Sequence, residues 1–148
     1  MKNKSVNIVK VVDIPIYHGK LVLILSGDMD YVRSHIEDFD CERVFAHAWH
    51  FEWKPESMEA FGMVLNFRDR SNMTHGAIAH EASHLASYIA SSRGIVADFE
   101  NDEPVAYLVS WIVDQIYYWL YEVWKETGDD EYASFWTGPP GTRKPKSE

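Results

Sequence analysis

Cysteine is almost absent from this chain, and its scarcity limits the chemistry that the sequence can support. Cys41 is the only cysteine among 148 residues, so no intramolecular disulfide and no cysteine-based zinc site can form. A single thiol is typical of a reducing compartment, and the sequence therefore predicts a cytoplasmic protein. We interpret Cys41 itself as a small buried hydrophobic residue.

Long apolar runs are also missing. The run LVLIL at 21–25 is too short to span a bilayer, and the apolar stretch 105–124 is interrupted by Asp114, Gln115 and Glu122. The N-terminal stretch has several lysines but lacks the apolar core of a signal peptide. These features predict that the chain does not enter a membrane.

Basic residues are outnumbered by acidic ones. The chain has 14 Lys and Arg against 23 Asp and Glu, a formal net charge of -9, and this excess disfavours nucleic acid as a partner. Hydrophobic residues make up 46% of the chain, enough for one domain with a substantial core. We predict a single domain over 1–130. The tail at 131–148 is rich in Pro, Gly and charge, and we predict that it is flexible.

The period of the hydrophobic pattern changes near the middle of the chain. The first half contains short apolar or alternating segments that predict strands at 7–12, 20–27, 43–53 and 62–69, with a helix over 28–39. In the second half, helical spacing runs from an N-cap at Thr74 to Gly94, and again from Pro104 to about Glu126. Together these elements predict an α+β fold, with a small and mostly antiparallel sheet packed on two helices.

The first long helix carries the motif HExxH. His80 and His84 are four residues apart and fall on the side of the helix opposite its apolar residues, so both imidazoles can reach one ion. Zinc prefers imidazole nitrogen, and a catalytic site leaves one position for water. Glu81 lies between the two histidines in sequence and can accept a proton from that water. The motif arises by chance in on the order of a few per cent of such chains, and its alternative interpretation is a helix with two surface histidines.

A third ligand would strengthen the zinc interpretation. Glu103 follows His84 after eighteen intervening residues and lies at the start of the next predicted helix. Asp98, Glu100 and Asp102 compete for this role, but they fall in the preceding loop or cap, so we prefer Glu103.

HExxH followed by eighteen residues and a glutamate resembles the gluzincin class of zinc peptidases. Over roughly residues 10 to 125 the chain is similar to small zincin-like peptidases encoded by phages and prophages. The resemblance implies a minimal zincin-like domain and a zinc-dependent hydrolase that cleaves a peptide or other amide bond. Its ligands would be His80, His84 and Glu103, its general base Glu81 and its substrate a peptide or protein. It also implies that the strand GMVLNFRD at 62–69 pairs with an extended substrate.

The chain departs from the gluzincin pattern in two respects. It lacks the Gly-x-Met-Glu-Asn segment with which aminopeptidases hold the substrate's amino terminus. Tyr107 stands where thermolysin-like enzymes have an aspartate, so the acceptor behind a zinc histidine would be Asp114, Asp98 or a backbone carbonyl. Tyr107 is our first candidate for stabilising the oxyanion and His75 the second; the alternative for Tyr107 is a lining or core residue.

These departures leave a second function open. The alternative is a non-catalytic zinc-binding interaction protein on the same scaffold. His47 and His50 are candidates for lining the pocket, but in a strand they fall on opposite faces and would not share an ion. We interpret His18 and His35 as solvated.

Overall fold

The computed structural model describes residues 6–35, 46–53 and 60–129, of which 46–53 and 60–61 are described for their backbone alone. Cys41, the end of the helix predicted at 28–39 and the tail at 131–148 lie outside the described residues. The elements, in chain order, are strand β1 (Ile8–Asp13), strand β2 (Lys20–Leu25), helix α1 (Met29–Arg33), strand β3 (Ala46–Trp53), strand β4 (Ala60–Phe67), a 3-10 turn (Arg70–Asn72), helix α2 (His75–Ser92) and helix α3 (Glu103–Thr127).

The four strands form one mixed sheet in the order β1-β2-β4-β3. β1 pairs with β2 and β3 with β4 in antiparallel fashion, whereas β2 and β4 are parallel. The predicted α+β fold with a mostly antiparallel sheet is confirmed. One expectation is wrong: β4 has a strand on each side, so its backbone is already paired and cannot bind an extended substrate.

Both faces of the central strands are covered. One face packs against the long helices and contributes to the main core, which includes Leu21, Leu23, Leu25, Met63, Leu65 and Phe67. The other face packs on α1, where Val22, Ile24 and Val64 form a second cluster with Val32. Burial on both sides explains why β2 is a continuous apolar run rather than an alternating one.

The two long helices begin and end where the sequence predicts. The Thr74 side chain accepts a hydrogen bond from the backbone N–H of Ala77 at 3.1 Å and caps α2. Pro104 occupies the first turn of α3, where its missing N–H costs no hydrogen bond. Gly94 and Gly128 follow the two helices with φ of 71° and 66°, a conformation that glycine adopts without steric strain.

The two helices pack against each other and the sheet through their apolar faces. The predicted inner face of α2 is confirmed, since Ile78, Ala82, Leu85 and Ile89 are fully buried. A short connection joins the end of α2 to the start of α3, and His75 at the start of α2 contacts Tyr117 far along α3. The helices therefore run antiparallel. Among the described residues, none of the helices combines the length and apolarity that a membrane span requires.

The turn between β1 and β2 has an unusual backbone. Ile16 and His18 adopt φ of 66° and 56°, in the left-handed region that β-branched residues rarely occupy. The Ile16 side chain is 86% exposed, so burial does not offset this strain. The turn is closed by a hydrogen bond from the N–H of Ile14 to the carbonyl of Gly19 at 3.0 Å.

Replacing Ile16 with asparagine is expected to stabilise the protein. Asparagine tolerates the left-handed region better than isoleucine, so the free energy of unfolding should rise by about 0.5–1 kcal/mol. Urea denaturation of the two proteins measures the difference. The control is Val11→Asn, at an exposed position in β1 with extended backbone, which should not stabilise; equal gains at both positions would contradict the strain argument.

Candidate metal site

The structure brings the two histidines of the motif together on the exposed side of α2. The Nε2 atoms of His80 and His84 are 3.1 Å apart, and their rings are close to perpendicular, with centroids 4.7 Å apart. Both side chains are exposed, while Ala82 and Leu85 on the opposite side of the helix are buried. The helix thus holds the imidazole pair on a rigid, well-packed support.

This spacing fits two ligands of one tetrahedral zinc ion. Zinc–nitrogen bonds of about 2.0–2.1 Å at the tetrahedral angle place two ligand nitrogens about 3.3–3.4 Å apart. The observed 3.1 Å between the Nε2 atoms needs only a small adjustment to reach this value. The same distance also suits a direct N–H···N hydrogen bond between the two rings, so it is compatible with an ion but does not require one.

The surroundings of the pair leave the imidazoles uncovered. The hydroxyls of Ser83 and Ser87 donate to the backbone carbonyls one turn earlier, at 2.8 and 2.9 Å, and so stay against the helix. Tyr88 stacks on His84, with ring centroids 6.4 Å apart and planes inclined by 20°. Glu81 is half-buried and lies on the same helix, one residue after His80.

The structure does not bring the third predicted ligand to this pair. Within residues 6–35, 46–53 and 60–129, no group of three His, Cys, Asp or Glu side chains is placed to hold an ion. His75 at the start of α2 contacts Tyr117 on α3, so the helices are antiparallel and Glu103, at the start of α3, lies toward the end of α2. Its assignment as a ligand stays a prediction.

Glu103 and Tyr107 line a cavity at the start of α3. The cavity has a volume of about 430 Å³ and lies between the start of α3 and the turn that joins β1 to β2. Tyr107 is 72% exposed, so the alternative of a core tyrosine does not apply, whereas a lining residue does. The catalytic role predicted for Tyr107 also stays a prediction.

The acidic loop before α3 is organised by its own backbone. Asp98 accepts a hydrogen bond from the N–H of Glu100 at 2.9 Å, and both side chains are exposed. Asp102 precedes α3 without forming a side-chain cap. None of these three belongs to a group that could hold an ion among the described residues, so they offer no better third ligand than Glu103.

A polar contact beside the start of α2 was not predicted from the sequence. His75 Nδ1 is hydrogen-bonded to the hydroxyl of Tyr117, and Arg70 is buried, with a hydrogen bond from its guanidinium to the carbonyl of Met73 at 3.3 Å. Burial raises the pKa of Tyr117, while the charge of Arg70 opposes that rise. In the sequence, the position of Tyr117 on α3 predicts a buried aromatic residue. It does not distinguish such a residue from a hydrogen-bond partner of His75.

The two histidines of β3 lie opposite different residues of β4. His47 pairs with Asn66 and His50 with Met63 of the neighbouring strand. Met63 belongs to the core on the helix side of the sheet. The side chains of β3 lie outside the described residues, so the prediction that one of these histidines lines the pocket stays open.

Comparisons of the chain with protein-family models, with curated proteins and with solved structures find no match. The resemblance to gluzincins therefore rests on the motif and its spacing alone.

Proposed function

We propose that this protein is a zinc-dependent hydrolase that cleaves a peptide or other amide bond. The observation that carries the proposal is the 3.1 Å separation of the His80 and His84 Nε2 atoms on an exposed helix face. Two imidazoles at this spacing supply half of a tetrahedral ligand set. Glu103, the third ligand predicted from the sequence, would have to approach them from the start of α3.

Each group of the motif has a separate task in this proposal. Bound zinc would acidify a coordinated water and polarise the scissile carbonyl. His80 and His84 hold their positions because α2 is anchored by its buried face. Glu81 would accept a proton from the attacking water and return it to the leaving amine. Glu81 is half-buried, so part of its side chain remains in contact with solvent.

The sheet offers an edge for an extended substrate, although not at the strand predicted from the sequence. β3 is the outer strand on the side of β4, and α2 packs against both strands. In the described part of the chain, β3 has a single strand neighbour. A peptide in extended conformation could therefore add to its outer edge through backbone hydrogen bonds. This would place a substrate on the side of the sheet next to α2.

A non-catalytic zinc-binding interaction protein is the second candidate. The feature that favours it is Tyr107, which stands where thermolysin-like enzymes carry the aspartate that orients a zinc histidine. A protein of this kind would bind its partner without turning over a substrate.

Replacing Glu81 with glutamine separates these two functions. The amide cannot accept a proton, so hydrolysis should fall by about 100-fold or more while zinc affinity stays the same. Bound zinc is measured by elemental analysis after reconstitution, and hydrolysis with a library of fluorogenic peptides. The matched control is Glu126→Gln, at an exposed position near the end of α3.

Three results would decide the matter. About one equivalent of zinc with peptide cleavage that depends on Glu81 supports the hydrolase. One equivalent of zinc with no cleavage by the unmodified protein supports the interaction protein. A reconstituted protein that retains no zinc overturns both.

A further inference from the structure

The cavity at the start of α3 has a distinctive wall. It is formed by Pro15, Ile16 and Tyr17 from the β1–β2 turn and by Glu103, Pro104, Tyr107, Leu108 and Trp111 from α3. Its volume of about 430 Å³ falls within the range of about 300–1,000 Å³ that is typical of small-molecule sites. Tyr17 and Trp111 are half-buried, whereas Tyr107 projects at the rim.

Three aromatic residues line this mostly apolar space, and the exposed Glu103 is among its lining residues. Glu103 is the only lining residue with a formal charge, because the wall contains no Lys, Arg or His. Among the described residues Glu103 forms no ion pair. The faces of Tyr and Trp rings attract cations electrostatically, an interaction that aliphatic side chains do not offer. A carboxylate at the same place adds direct charge complementarity.

The backbone of the turn supports a binding role for this wall. The strained left-handed conformation of Ile16 lies in the segment that faces α3 across the cavity. Strain of this kind persists only where the surrounding structure holds it, and it clusters at ligand-binding segments. Arg93 donates a hydrogen bond to the carbonyl of His18 at 3.1 Å, which ties the turn to the end of α2.

We propose that this cavity is a binding site for an organic cation with a methylated or quaternary ammonium group. Tyr17, Tyr107 and Trp111 contact the ammonium group, and the carboxylate of Glu103 balances its charge. The prolines and Leu108 accommodate the attached apolar chain. The site goes beyond the proposed hydrolase function, since it assigns a ligand to a cavity in which that proposal places no substrate.

A neutral apolar ligand fits these observations less well. Such a ligand would gain nothing from the negative charge of Glu103, which is exposed at this cavity. An anion is disfavoured by the same carboxylate and by the net charge of -9. Only a cation uses both the rings and the acid.

Choline and its neutral isostere 3,3-dimethyl-1-butanol test the proposal directly. The two probes have almost the same shape and differ in charge, so the protein should bind choline at millimolar concentration and the alcohol at least about 5-fold more weakly. Ligand-detected NMR with the full chain measures both. Glu103→Gln and Tyr107→Leu should each weaken choline binding by about 2- to 5-fold or more, and Glu126→Gln should leave it unchanged.

Zinc affinity, measured on the same proteins, keeps this proposal separate from the hydrolase. Tyr17→Leu, at a cavity position that the hydrolase proposal does not use, should weaken choline binding by about 2- to 5-fold and retain the zinc affinity of the unmodified protein. Equal binding of the two probes, or choline binding that is unaffected by the cavity substitutions, would overturn the ammonium site. Tyr107 is largely exposed, so its replacement should not unfold the protein.

Discussion

Phe67→Ala is expected to lower the free energy of unfolding by about 3–5 kcal/mol. Phe67 is the last residue of β4, is fully buried and belongs to the core between the sheet and the long helices. Its removal takes a large apolar surface out of contact and leaves a cavity that the packed strands cannot close. Domains of this size have a free energy of unfolding of about 5–15 kcal/mol, so the substitution would remove a large part of the total stability.

The measurement is urea denaturation followed by circular dichroism, with stability taken from the midpoint at unchanged slope. Should Phe67→Ala fail to fold, Phe67→Leu keeps the position apolar and should cost about 1–1.5 kcal/mol. Val11→Ala, at a position in β1 that is 48% exposed, provides the control and should cost less than about 1 kcal/mol. A loss at Phe67 no greater than that at Val11 would mean that the core is not packed as described.

Removing either imidazole of the motif is expected to weaken zinc binding by about 100-fold or more. Substitution of a group that merely orients a metal ligand costs about 10- to 100-fold, and loss of the ligand itself should cost at least as much. His80→Ala and His84→Ala should each show this effect, because the proposed ion needs both Nε2 atoms. Competition with a chromophoric chelator measures the affinity.

Stability provides the internal control for these two variants. His80 and His84 are exposed on a helix, and alanine favours helix, so unfolding should change by no more than about 0.5 kcal/mol. His35→Ala removes another exposed histidine, whose side-chain contacts among the described residues are with its neighbours Tyr31 and Ser34. It should bind zinc like the unmodified protein. Undiminished zinc affinity in both motif variants would exclude the site.

The helices could be predicted from the sequence because their signals are local. Thr74 caps α2 through a hydrogen bond within its first turn, and Gly94 and Gly128 end the helices by a backbone conformation that few other residues adopt. The buried faces follow from residue spacing alone. For the same reason the approach of His80 to His84 could be predicted, since residues four apart on a helix are neighbours.

Features that depend on distant segments could not be predicted in this way. The strand pattern of β4 is correct, but its interior place in the sheet depends on pairing with β2 and β3. The position of Glu103 depends on the axial offset between α3 and α2, and this offset depends on contacts such as that between His75 and Tyr117. Eighteen intervening residues fix the length of the connection but not this offset. The left-handed backbone at Ile16 could not be predicted either, because isoleucine disfavours this conformation.

The parallel pairing of β2 with β4 has a consequence for the order in which the protein assembles. The β1–β2 hairpin and the α2–α3 hairpin each join neighbours in the chain, and short connections close quickly. β2 and β4 are separated by residues 26–59, so their pairing requires the closure of a long loop. β3 belongs to this connecting segment and must pair with the outer side of β4. We expect the two terminal hairpins to form early and the middle of the sheet to be rate-limiting, so that substitutions at Val64 slow refolding more than substitutions at Val11.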